Sequence, residues 1–432
     1  MGEQERLIRQ EDTSLRMSMT MRVTFVDPES PFRRSDKARI AVLCRHDLSR
    51  LEPGDKIHTY DKIMAIARQA SVVLFVPYGH ASKSMHLQMQ VVHVAPQGLR
   101  FVLALTLSLL AHRAKYECIY SRDPLLMTLA VPMKMFGKSL VVEMNGIPSA
   151  ETEIRRRTHK VRAPKLTSLI CGAMRAIETL SIRSADLILP VTEKMKNTLL
   201  RNYAANARRV VMIPNSVDTV VFKPLEAWRR EIRQKLGMNR EMVVLYLGTF
   251  SARWRGTAQL FEAAEHIQRR REDITFLVVG SGPLLEEMSA VKTGKKKASH
   301  ILFAGAIDHQ LVPLYMNAAD LYVYDVTEAA NKLVEMQGLC PTKILEAMAC
   351  GKPVIAPKES ELERMLQKSG GGLSASSMKE LVELIEKLTD SPGLVKSMGA
   401  KARQYVELNH DLTRLTRRMI ELINDIVSSR GR

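Results

Sequence analysis

Cysteine is scarce in this chain and badly arranged for pairing. The five residues Cys44, Cys118, Cys171, Cys340 and Cys350 are odd in number and never stand at C-x-x-C spacing. That argues against structural zinc and for a reducing compartment. Aromatic residues make up only 5%, and no nucleic-acid recognition module accompanies them. Long apolar runs are missing too. The longest, residues 101–111, is too short to cross a bilayer, which takes ~20 residues. Met1-Gly2-Glu3-Gln4-Glu5-Arg6 has neither the apolar core of a signal peptide nor the Ser or Thr at position six of a myristoylation site. The expectation is a cytoplasmic protein, soluble or peripheral on the inner face of the membrane.

What the chain has is length and positive charge. At 432 residues with 46% hydrophobic content, it is too long for one ordinary core, and two domains are expected. The 64 basic and 46 acidic residues give a formal charge of +18, which attracts polyanions: nucleic acid, an anionic membrane face or phosphorylated substrates. The basic runs 229–233, 269–271 and 295–297 are dispersed along the chain, which counts against nucleic acid as a partner.

Residues 1–37 are polar and aperiodic and read as a poorly ordered basic extension. Short β-branched runs then follow at 40–43, 72–76, 91–94, 118–120, 140–143, 187–190 and 210–213, with helical patterns between them at 57–68, 99–113 and 125–136. Runs that do not alternate suit strands buried on both faces, and repeated strand–helix order implies a doubly wound parallel sheet. A second series begins at 243–247 and continues at 276–279, 301–303, 321–324 and 354–356, separated by helices at 258–269, 283–291, 311–317 and 342–349. The predicted fold is α/β, with two Rossmann-like domains at 38–214 and 215–400 facing a cleft that binds ligand at the carboxyl ends of the strands. The join lies near Pro214-Asn215-Ser216-Val217-Asp218 and the basic run 223–240. Helices at 379–388 and 394–426 end the chain.

The most informative segment is Cys340-Pro341-Thr342-Lys343-Ile344-Leu345-Glu346-Ala347-Met348-Ala349-Cys350-Gly351-Lys352-Pro353-Val354-Ile355-Ala356. Pro341 suits the first turn of a helix, Gly351 the left-handed residue after its end, and Pro353 prevents continuation. Such a helix offers backbone N–H groups and a positive dipole end to a phosphate, near Thr342 and Lys343. Glu346 beside it is suited to accepting from ribose hydroxyls. An ordinary capped helix leading into a core strand is the alternative.

This segment resembles the C-terminal signature of the retaining, nucleotide-sugar-dependent glycosyltransferases of family four (group one), in its P-x-K-x-x-E-x-M-A-x-G-x-P-V-I-A form. Other segments are similar to the same family in the right order from about Ala38 to the C-terminus. The resemblance implies a GT-B fold, a final helix (401–432) packing back on the first domain, a nucleoside diphosphate sugar as donor, and a lipid-linked or envelope glycan as acceptor. No Asp-x-Asp pair occurs, so neither metal nor cofactor is expected. Gly248-Thr249-Phe250-Ser251-Ala252-Arg253-Trp254-Arg255-Gly256 is similar to the family's diphosphate loop, with Arg255 at the basic position; a guanidinium grips a diphosphate through two hydrogen bonds. The family's second cation is replaced by Thr249, and Arg253 stands nearby; without the family, both arginines read as solvated loop residues. Glu346 matches the second Glu of an E-x7-E motif whose first position is Gly338, with Glu335 close by. Lys343 either reaches a phosphate or extends to solvent.

Gly280-Ser281-Gly282-Pro283 resembles the G-x-G-P segment near the nucleotide, and Gly305 with Val312 and Pro313 the stretch whose backbone reads the base. Gly54-Asp55-Lys56 looks like a reduced version of a glycine pair that approaches the phosphate, or a plain turn. Asn145, in Glu143-Met144-Asn145-Gly146, stands where many relatives carry a His contacting the donor sugar. It lacks acid/base chemistry but can hydrogen-bond a sugar hydroxyl. The implied catalytic set is Asn145, Arg255 and Glu346; Gly54, Arg253, Arg255, Gly282, Thr342, Lys343 and Glu346 bind the donor. A basic loop, Arg155-Arg156-Arg157-Thr158-His159-Lys160-Val161-Arg162, is expected at an anionic membrane surface. Other readings are a nucleotide-sugar epimerase of the same fold, a basic nucleic-acid binder, or a catalytically silent partner subunit.

Overall fold

A computed structural model describes residues 38–49, 54–158, 164–238, 241–250, 257–282, 300–324, 341–358 and 361–430. The chain forms two units: residues 38–215 with 412–430, and residues 216–411 within the described part. The boundary expected after residue 400 falls inside the helix Pro392–Asn409. The change of unit comes instead after Asp411, where His410 accepts from the Val217 N–H. The predicted helix at 394–426 is accordingly two helices, Pro392–Asn409 and Leu412–Arg430.

The first unit holds strands β1 (Arg39–Leu43), β2 (Ser71–Val76), β3 (Gln90–His93), β4 (Cys118–Ser121), β5 (Ser139–Met144) and β6 (Leu187–Pro190). All pair in parallel in the order β3-β2-β1-β4-β5-β6. Apart from the edge strand β3, nearly every strand residue is buried, as sheets covered by helices on both faces require. The strand predicted at 210–213 is reduced to a bridge from Val210 to Ile188, with Val211 and Ile213 still donating to the β6 edge. The helix Leu412–Arg430 closes this unit, packing Leu415, Met419 and Ile423 into the same core as β1 and β2.

The second unit repeats the pattern. Strands β7 (Met242–Thr249), β8 (Ile274–Ser281), β9 (Ile301–Gly305), β10 (Leu321–Val323), β11 (Val354–Pro357) and β12 (Gly372–Ala375) run parallel in the order β12-β11-β10-β7-β8-β9. Counted within each unit, both orders are 3-2-1-4-5-6, the doubly wound arrangement that reverses beside its first strand. The reversal points lie between β1 and β4 and between β7 and β10.

Two stretches read as irregular are helical. The basic run after the join contains the helix Glu226–Lys235, whose Arg229 and Arg233 both pair with Asp320 at the start of β10. The basic stretch taken as a loop begins inside the helix Pro148–Thr158, because residues 148–158 contain no helix breaker after the first position. Residues 159–163 of it lie outside the described part, as does the helix predicted at 283–291.

Candidate functional site

In the second unit the site is built on the helix Thr342–Ala349. Pro341 is its N-cap, extended at φ −61° and ψ 129°. Its end is a Schellman turn: Lys352 N–H donates to Ala347, Gly351 N–H to Met348, and Gly351 takes φ +70°. Because the helix returns from the end of β10 to the start of β11, its amino end lies at the carboxyl edge of the parallel sheet, beside the reversal point. Thr342, Lys343 and Glu346 are thus carried on one element. Ile344, Leu345, Ala347, Met348 and Ala349 are buried with the core.

Glu346 is only 2% exposed. A carboxylate rarely goes into a core without partners. The imidazole Nε2 of His309 stands 3.8 Å from Glu346 Oε1, and its ring packs edge-on against Phe222 at 5.9 Å. His309 was not singled out from the sequence. It lies between two recognised segments, Gly305 and Val312, and only the three-dimensional approach of that turn to the Thr342 helix reveals it.

Gly282 directly follows β8 at φ +148°. A Cβ there would stand 2.4 Å from the carbonyl of Phe250. The glycine is therefore required by the close passage of the chain beyond β7, whatever else approaches it. Arg253 and Arg255 lie outside the described residues, as do Glu335 and Gly338; in sequence the two arginines follow β7 directly.

In the first unit, Gly54 is the first residue of the helix Gly54–Ala67, not of an isolated turn. Asn145 follows β5 and is fixed by a buried charge cluster. Glu143 accepts from the Tyr120 hydroxyl at 2.7 Å, from Arg122 Nε at 2.9 Å and from Asn145 Nδ2 at 3.1 Å. Lys62 Nζ lies 3.7 Å away. Burial alone would raise the Glu143 carboxyl. Lys62 and Arg122, with the hydrogen bonds from Tyr120 and Asn145, overcome it and hold the group at about 2. Burial lowers Lys62 against the pull of Glu143. An ionised Glu143 only accepts, so it draws in the amide nitrogen of Asn145. The opposite atom, Oδ1, is left buried, with no hydrogen-bond partner among the described residues. Asn145 therefore presents an acceptor.

Residues 229–405 match the model of the family described as glycosyl transferases group 1. That segment contains His309, Glu346, Gly282 and both loop arginines. The chain is 22% identical over 236 residues to the alpha-D-kanosaminyltransferase of Streptomyces kanamyceticus, covering 54% of this chain and 58% of that protein. It is 27% identical over 243 residues to the GDP-mannose-dependent alpha-(1-6)-phosphatidylinositol monomannoside mannosyltransferase of Mycolicibacterium smegmatis, covering 56% and 62%. The alignments thus span little more than half of the length of these relatives. Among solved structures, HepE of Anabaena in complex with UDP superimposes with a TM-score of 0.67 at 17% identity, over 90% of this chain and 100% of that one. Sucrose-phosphate synthase of Thermosynechococcus elongatus gives 0.69 at 19% identity, over 91% and 100%. These likenesses establish the GT-B type of fold, two parallel six-stranded units flanked by helices. The likeness to the glycosyl transferases group 1 rests on residues 229–405, in the second unit.

Proposed function

We propose that this chain is a glycosyltransferase that moves a sugar from a nucleoside diphosphate sugar to a glycan or lipid-linked acceptor, with retention and without a metal ion. The observation that carries the reading is Glu346, a carboxylate 2% exposed on a helix whose amino end lies at the carboxyl edge of a doubly wound sheet. In open α/β sheets ligands bind at that edge. A buried carboxylate beside a helix amino end suits the two halves of a nucleotide: hydroxyls for the carboxylate, phosphates for the helix.

In this proposal Glu346 accepts from the ribose, with His309 beside it. Thr342, Lys343, Arg253 and Arg255 neutralise the diphosphate in place of a metal, and Gly54 and Gly282 leave room for backbone approach. Asn145 accepts from a sugar hydroxyl. Departure of the diphosphate creates negative charge, which fixed cations and helix dipoles stabilise. The leaving phosphate takes the acceptor proton on the face from which it departs, so that configuration is retained. Two relatives support the donor class by their names alone, one being GDP-mannose-dependent and one solved with UDP. The proposed place of action is the cytoplasm, at the inner face of the membrane.

Thermal shift against UDP, GDP, ADP and their sugars tests the reading, since a ligand bound only by the folded protein at 100 times its Kd adds ~2.7 kcal/mol. One nucleotide is expected to raise Tm, and Glu346→Gln and Arg255→Ala each to reduce that rise. No rise with any nucleotide, or wild-type rises in both variants, refutes the assignment.

A further inference from the structure

The helix Thr342–Ala349 is held at its carboxyl end by one side chain. The last four carbonyls of a helix have no partner within it. Here Glu346, Ala347 and Met348 accept from the N–H groups of Cys350, Lys352 and Gly351. Ala349 O accepts instead from Arg403 Nη1 at 2.7 Å, and a cation at that end also complements the helix dipole. Arg403 comes from the helix Pro392–Asn409, one turn after Gly399 on the same face. A Cβ at Gly399 would stand 2.1 Å from the Gly351 carbonyl, so glycine there is what lets the two helices meet closely enough for the contact.

The same guanidinium holds a second segment. Arg403 Nη1 also donates to Phe222 O at 2.6 Å and Nη2 to Thr219 O at 3.0 Å, while Nε donates to Glu407 at 2.7 Å. Three carbonyls and a carboxylate thus meet the donors of one arginine. Residues 217–222 form a turn where the chain enters the second unit, beside the point where it leaves. The Val217 N–H donates to His410 O, Thr219 Oγ1 to Asp411 Oδ2 at 2.5 Å, and the Phe222 N–H to Asp218 O. Phe222 in turn carries the ring that packs on His309, whose Nε2 stands 3.8 Å from Glu346. The contacts close a circuit from Arg403 through Ala349, Glu346, His309 and Phe222 back to Arg403. Both sides of the buried carboxylate, the helix that bears it and the imidazole that faces it, rest on one guanidinium.

We propose that Arg403 is the positioning residue of the nucleotide site and couples occupancy of that site to the turn 217–222. The inference rests on the reading of Glu346 as the acceptor of ribose hydroxyls. A ligand that orders Glu346 and His309 fixes Ala349 and Phe222, and the guanidinium bonded to both passes that order to Thr219. Coupling is reciprocal, so loosening the turn weakens the ligand by the factor by which the ligand tightens the turn. A purely stabilising role for Arg403 would leave nucleotide affinity unchanged in variants that stay folded.

Hydrogen exchange of the full chain tests this with whichever of UDP, GDP and ADP raises Tm. The nucleotide is expected to slow exchange at residues 217–222 about threefold more than at β12, which lies in the same unit and reports its overall stabilisation. Arg403→Gln is expected to weaken the nucleotide about tenfold and to abolish the excess protection. Phe222→Leu keeps an aliphatic side chain in the core but removes the ring edge from His309. It is expected to weaken the nucleotide about fivefold, and it carries the test if Arg403→Gln does not fold. A nucleotide that raises Tm without excess protection at 217–222, or wild-type affinity in the folded variants, overturns the coupling and leaves the site standing. No rise in Tm with any of the three overturns the site and the coupling together.

Discussion

Replacing Glu143 by Gln strips the carboxylate from a cluster holding the buried Lys62 and the partly buried Arg122, and the consequence can be worked out. Wild-type Glu143 sits at about 2 against an ordinary 4.5, a separation worth about 3 kcal/mol at 1.36 kcal/mol for each pH step. The folded value lies below the unfolded one. The stabilisation is therefore fully present above pH 4.5 and is lost as pH falls through the folded value near 2. Glu143→Gln is neutral at every pH and leaves Lys62 and Arg122 facing each other with no anion, a loss on the order of 3–5 kcal/mol. Hydrogen exchange at the amides of β1, β4 and β5 reports opening of this unit. The variant's deficit is expected to be largest near pH 7 and to shrink as pH falls below 4.5. Lys62→Met added to Glu143→Gln is expected to recover part of the loss, since it removes one uncompensated charge. A deficit under about 1 kcal/mol, the level of an exposed ion pair, or one constant across that range, refutes the reasoning.

Gly282→Ala puts a methyl group 2.4 Å from the Phe250 carbonyl at φ +148°. Overpacking and backbone strain together cost about 3 kcal/mol, measurable as a lower urea midpoint, whereas a wild-type midpoint would mean that the chain beyond β7 yields freely. Burial, with Arg229 adding to it, lowers the Lys352 amine from 10.5 to about 8. The unfolded chain then holds more protons between these values. The stability of wild type relative to Lys352→Met is expected to rise with pH across that window, and a flat difference would remove the assignment.

Local pattern made the strands legible where local chemistry sufficed. Residues 242–249 and 354–357 are aliphatic runs bounded by turn residues, and periodicity finds them. β12 escaped because Gly370-Gly371-Gly372-Leu373-Ser374-Ala375 reads as a turn; it is a strand through its pairing with β11. The helix Glu226–Lys235 escaped for a different reason. Its strongest ties, Arg229 and Arg233 to Asp320, span about ninety residues, beyond any window that reads local composition.

The candidate site divides along the same line. Thr342, Lys343 and Glu346 stand on one short helix with its own start and stop signals, so a linear motif carries them together. The surroundings of Asn145 come from separate elements: Lys62 on a helix, Tyr120 on β4, Arg122 just beyond it and Glu143 on β5. Their energy is set by desolvation and by charges a few ångströms apart, neither of which exists before the sheet forms. A sequence can show that Asn145 ends a strand. Which of its amide atoms is left without a partner among the described residues follows only from Glu143 being ionised, and Glu143 is ionised because two cations distant in sequence stand beside it. Reversing that ionisation, rather than removing Asn145, is thus the sharper probe of what Asn145 presents.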